Sequence, residues 1–171
     1  MPFNVLTKAL LEDYTQHTPD NESEWYGPWN DILKEFFPAD KGYIVIPQKR
    51  LSGDDDHSSR IPDFVIEVIK ITPPSLNKRI VLITEIKNSQ YWTSGITALE
   101  KQIKAQTEHA FSRTAKEIVY YIMVIGPHWN HGKADWDGSD HLIPLGDWHD
   151  VTHDEKSYRD LRKVAELVYE L

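Results

Sequence analysis

Apolar residues recur at helical spacing at Trp25, Trp29, Ile32, Leu33 and Phe36, which predicts a helix beginning near Ser23 and closed by Pro38 and Gly42. Ahead of it, residues 1–20 predict a short helical arm that runs into a polar link. Residues 42–49 read as a first strand with Tyr43, Ile44, Val45 and Ile46 as its body. A polar loop over residues 52–59 leads into two apolar runs, 61–71 and 79–88. The Pro73-Pro74 turn region between them makes the pair a β-hairpin. A helix is expected over residues 94–116, then a strongly apolar strand over 118–125 that Gly126 and Pro127 end. Residues 127–153 show no period and are expected to be an irregular insertion, apart from a short strand near 141–144. A terminal helix over 155–171 turns Tyr158, Leu161, Val164, Ala165 and Val168 inward.

That order is helix, three strands, helix, strand and C-terminal helix. It predicts an α/β fold: a mixed central β-sheet flanked by helices, in a single domain over 1–171. Side chains alternate along a strand, so Asp63, Val65, Glu67 and Ile69 are expected on one face of the first hairpin strand. On the second, Val81, Ile83, Glu85 and Lys87 are expected to share a face. Both faces of both strands are rich in Val, Ile and Leu, the pattern of strands covered on two sides. A hairpin folded about Pro74 sets Asp63 opposite Glu85. Directly opposed Cβ atoms lie roughly 4.5–5.5 Å apart. Two carboxylates brought close repel by about 4 kcal/mol at an effective dielectric near 20, and a divalent cation between them is the natural compensation. Lys87 reaches the same space.

Ile61-Pro62-Asp63, followed at a distance by Glu85-Ile86-Lys87 at the end of an apolar strand, resembles the motif of the PD-(D/E)XK, or restriction-endonuclease-like, nuclease superfamily. The order of elements over residues 22–125 is similar to that family's αβββαβ core. The resemblance implies a metal-dependent nuclease in which Asp63 and Glu85 bind Mg²⁺ or Mn²⁺. It further implies that the carbonyl of Ile86 completes the metal shell and that Lys87 orients or activates the attacking water. Many members add a Glu on the helix before the first strand, for which Glu24 is expected ahead of Glu35. Some carry a Gln on the helix after the motif. Here Gln102 and Gln106 lie one turn apart on the side bearing Leu99, Ile103 and Ala110, with Gln102 expected at the site and both needing partners. Neither is followed four residues later by Tyr, which argues against the exonuclease branch.

Composition adjusts the picture. The 171 residues are enough for one core, and 40% hydrophobic with 27% charged residues describes an ordinary globular chain. No stretch approaches the ~20 apolar residues of a membrane span. The absence of cysteine removes disulfides and thiolate metal sites, and with no signal peptide visible an intracellular (cytoplasmic or nuclear) protein is expected. The net charge of −8 argues against non-specific nucleic-acid binding by the whole surface. It favours the alternative, a catalytically inactive nuclease-fold module that binds or regulates. The nuclease reading expects nucleic acid as partner, DNA before RNA, and allows a homodimer. Lys49, Arg50, Arg60, Lys78 and Arg79 flank the hairpin and offer phosphate contacts or ordinary surface charge. His128, His131, His141, His149 and His153 read as residues of an irregular loop rather than a zinc site, Asp54, Asp55 and Asp56 as a solvated run, and Trp129, Trp136 and Trp148 as anchors rather than base-stacking platforms.

Overall fold

The computed structural model describes residues 3–51, 61–72, 74–111, 117–135, 142–152 and 154–171. Helix α1 (Val5–Gln16) begins where the Asn4 side chain accepts the Thr7 N–H at 2.9 Å. A 3₁₀ turn over Glu22–Trp25, capped by Asn21, feeds α2 (Tyr26–Phe36). Its predicted apolar stripe is the observed one, since Trp25, Trp29, Ile32, Leu33 and Phe36 are all buried. Gly42 then turns the chain with φ of 84°, and a Cβ there would sit 3.2 Å from the Ile69 carbonyl.

Strand β1 (Tyr43–Pro47) follows, then β2 (Phe64–Thr72) and β3 (Ser75–Lys87). β3 starts earlier than its apolar run suggests, because the hairpin turn is tight and Thr72 pairs with Ser75. A 3₁₀ turn over Ser89–Trp92 and helix α3 (Ile96–Ala110) lead to β4 (Ile118–Ile125). The chain ends in α4 (Asp154–Tyr169). The expectation of an irregular insertion at 127–153 is corrected. Strand β5 (His128–Asp135) pairs along the whole of β4 through a turn at Gly126 and Pro127, and β6 (Leu142–Pro144) and β7 (His149–Asp150) pair with β5. β5 contains little of the Val, Ile or Thr that marks a strand; its polar residues are held by the apolar partner strand.

The described residues thus form a seven-stranded mixed sheet in the order β1-β2-β3-β4-β5-β6, with β7 on β5. Only β3 and β4 run parallel, with α3 crossing between them. The α/β class, the mixed sheet with flanking helices and the C-terminal helix are as the sequence predicts. On β4, Tyr120, Ile122 and Val124 join a core with α1, α2 and α4, whereas Val119, Tyr121, Met123 and Ile125 join a second core with α3. One expectation about faces is corrected. Val81 packs with Leu82 in the first core and not with Ile83 in the second, because a β-bulge lies where Ile66 pairs with Leu82 and Glu67 with Ile80. Among the described residues no helix is long and apolar enough to cross a membrane.

Candidate active site

The bulge decides what faces what at the open end of the hairpin. Continued from the turn without it, the ladder would set Asp63 against Thr84, whose side belongs to the other face. With one extra residue in β3, Phe64 pairs with Thr84, and Asp63, one position before the ladder begins, comes level with Glu85. Here β2 leaves β3, so Ile86 has no backbone partner on that side. The Asp63 carboxylate takes the place of a strand: Oδ2 accepts the Ile86 N–H at 2.6 Å, while its carbonyl accepts the Gln48 N–H at 2.9 Å from beyond β1.

Asp63 and Glu85 are both buried, 8% and 2% exposed, which for ionisable groups demands partners. Asp63 Oδ1 accepts the Tyr26 hydroxyl at 2.7 Å. The same hydroxyl stands 3.1 Å from Glu22 Oε1, so one phenolic proton serves two carboxylates. Glu85 Oε1 accepts Lys87 Nζ at 2.7 Å and Gln102 Nε2, and Oε2 accepts Gln106 Nε2 at 2.8 Å. Lys87 Nζ also donates to the Ile86 carbonyl at 3.0 Å and lies 3.7 Å from Glu22 Oε2.

Three carboxylates therefore surround one ammonium. Burial, and then the charge of Glu85, push the Asp63 carboxyl up to about 6, against the opposing bonds from Tyr26 and Ile86 and the charge of Lys87. Burial alone would pull Lys87 down. Its bond to Glu85 and the charges of Glu85, Glu22 and Asp63 outweigh that and hold the ammonium above the ordinary lysine value. The oxygens of Asp63, Glu85 and Glu22 and the Ile86 carbonyl are all hard donors and could take a hard cation, which the excess of negative charge would favour. Among the described residues no group of three or more His, Asp or Glu forms a ready-made metal cage.

The structure brings together Asp63, Glu85, Ile86, Lys87, Gln102 and Gln106. Glu24 it does not: that residue is exposed, and its carbonyl accepts the Tyr14 hydroxyl on the α1 side. Glu22 stands where Glu24 was expected, because the 3₁₀ turn carries Glu22 one helical turn from Tyr26, whose hydroxyl meets both Glu22 and Asp63. Sequence reasoning missed Tyr26 and Glu22, although their i, i+4 spacing beside the buried Trp25 and Trp29 was a usable signal. Glu35 is exposed on α2.

No protein-family model, curated protein or solved structure matches this chain. Its own geometry carries the argument.

The other candidates fall outside the cluster. Lys49 pairs with buried Glu67, and Arg50 and Lys78 are exposed. His128 stacks on Trp92 with ring centroids 4.1 Å apart, and Trp148 packs edge-on against the same ring. Trp129 is fully buried and donates to Ser157 at 3.0 Å, the core-anchor role expected of it. His131 and His149 lie on the α4 side, where burial and the neighbouring His149 pull His131 down to about 4. Asp54, Asp55, Asp56, Arg60, Trp136, His141 and His153 lie outside the described residues.

Proposed function

We propose that this chain is a metal-dependent nuclease of PD-(D/E)XK type that hydrolyses phosphodiester bonds of nucleic acid, DNA before RNA. The observation that carries the reading is the junction of β2 and β3. There a buried Asp63 caps the free Ile86 N–H, and Glu85, the Ile86 carbonyl and Lys87 converge at the same place. A bound Mg²⁺ or Mn²⁺ would supply the Lewis acidity that activates water and offsets charge on the transferring phosphoryl group. Asp63, Glu85 and the Ile86 carbonyl would hold it, with Glu22 at the rim. Tyr26 and the Ile86 N–H fix the Asp63 carboxylate, and Gln102 and Gln106 fix that of Glu85. Lys87, which these carboxylates hold charged in the metal-free protein, would orient the attacking water or donate to developing negative charge there.

The test is cleavage of single- and double-stranded DNA and RNA with Mg²⁺ or Mn²⁺ against EDTA, comparing wild type with Glu85→Ala. Cutting should require metal and vanish in the variant. Lys87→Ala should lower the rate by about 10² to 10³, the loss that follows removal of one donor to developing charge. Failure of every substrate with every metal would sink the reading.

One observation favours the second reading, a binding module without turnover: every oxygen of Asp63 and Glu85 already has a donor within the protein. Such a site should lack the Mn²⁺ affinity that an active one would owe to Asp63 and Glu85. A homodimer, which would let two sites act on two strands, is tested by gel filtration.

A further inference from the structure

On the other face of the sheet, near the turn of the β2–β3 hairpin, Arg79 lines a cavity of about 240 Å³ together with Tyr43, Val68, Val81, Val168 and Tyr169. Arg79 pairs with Val68, five residues along β2 from Asp63, or about 16 Å at roughly 3.3 Å per residue. The cavity is therefore separate from the carboxylate cluster. Two atoms of Arg79, Nε and Nη2, are shut off from solvent and have no hydrogen-bond partner. Their N–H groups point the same way along one edge of the guanidinium, the fork that takes two oxygens of one anion side by side. Buried donors without a partner are costly, and native proteins leave few of them.

The surroundings say which anion fits. Beyond the fork the wall is mostly apolar, from Val68, Val81, Val168, Leu171 and the rings of Tyr43 and Tyr169, and exposed Asn77 and Lys78 also lie on it. Inorganic phosphate presents oxygens on every side and would set some of them against the apolar part of this wall. A carboxylate has only two, and the fork answers both. The volume lies below the usual range of about 300–1,000 Å³ for ligand pockets, which limits the rest of the molecule to a short body.

We propose that the Arg79 pocket binds a small monocarboxylate carried on an aliphatic or aromatic body, its two oxygens taken by Nε and Nη2 and its body laid against Val81, Val168 and the two tyrosine rings. In the ligand-free protein Nε and Nη2 are closed off from solvent, so the ligand is taken only once the terminal side-chain torsions of Arg79 turn the fork into the cavity. The proposal does not depend on the phosphodiesterase reading.

The test uses the full chain, with phenylacetate and octanoate as probes and inorganic phosphate as the contrast, read by thermal shift and by amide chemical shifts. Both acids at millimolar concentration should raise Tm and move the amides of Val68 and of residues 168–171, and phosphate should do neither. Arg79→Met should weaken acid binding at least tenfold while the ligand-free variant melts no lower than wild type, because an apolar side chain removes two unpaired buried donors. If that variant does not fold, Arg79→Lys takes its place: it keeps the charge, loses the fork, and should show the same tenfold loss. No response to either acid, an equal response in the Arg79 variant that folds, or binding of phosphate alone would overturn the proposal.

Discussion

Asp63 gives the site a defined response to pH. Its carboxyl titrates near 6 in the folded protein against an ordinary 3.8, so the metal-free native state holds this proton more tightly than the unfolded chain does. The stability tied to Asp63 is then fully present below about pH 4 and is lost as pH rises through about 6, a change of about 3 kcal/mol for a two-unit shift. Urea denaturation in EDTA across that range should show the decline in wild type and a flatter profile in Asp63→Asn. Equal profiles would mean that burial does not hold the proton. If the site takes a cation, the same shift makes Mn²⁺ affinity weaken as pH falls through about 6, because the ligand must be ionised. At this scale Asp63, Glu85 and Lys87 were legible along their own strands by alternation, although the bulge in β3 is what sets Asp63 level with Glu85. Tyr26 and Glu22 were legible only as a pair of polar residues at i, i+4 spacing, without their direction. Which side of a short 3₁₀ turn faces the sheet depends on how Trp25 and Trp29 pack.

Among the elements, α3 works as a clamp on β3. Gln106 is fully buried and Gln102 half-buried, though both donate to Glu85. Gln106→Leu leaves Glu85 Oε2 without its donor in a dry interior and should cost about 1–3 kcal/mol of unfolding free energy. Gln102→Ala, nearer solvent, should cost less. Chemical denaturation of the two variants checks the order, and the reverse order would shift the structural weight to Gln102. The helices and the apolar strands were legible from period alone. The bulge at Val81 was not, because an inserted residue leaves apolar letters on both sides and changes only which face they occupy. β5 escaped for a related reason: its burial comes from β4, and its own His, Asn and Lys side chains do not announce it.

For the molecule as a whole, the sheet separates two environments. α4 closes the face opposite the carboxylates through Leu161, Val164, Ala165 and Val168, all buried. Leu161→Ala should cost about 2–5 kcal/mol of stability. It should leave the site unchanged, as judged by the amide shifts of Glu85 and Ile86 at a temperature where the variant stays folded. Movement of those shifts would mean that the two faces are coupled through the strands. The parallel pairing of β3 with β4 also bears on how the chain acquires its structure. β1, β2 and β3 meet through antiparallel contacts between chain neighbours, but β3 can meet β4 only after the whole of α3 has been laid across, so that contact closes the longer loop. Glu85 lies on β3 and its two glutamines on the α3 crossover that this contact requires. Desolvation of the Glu85 carboxylate therefore requires α3 to be in place, because both glutamines that answer it are carried by the crossover.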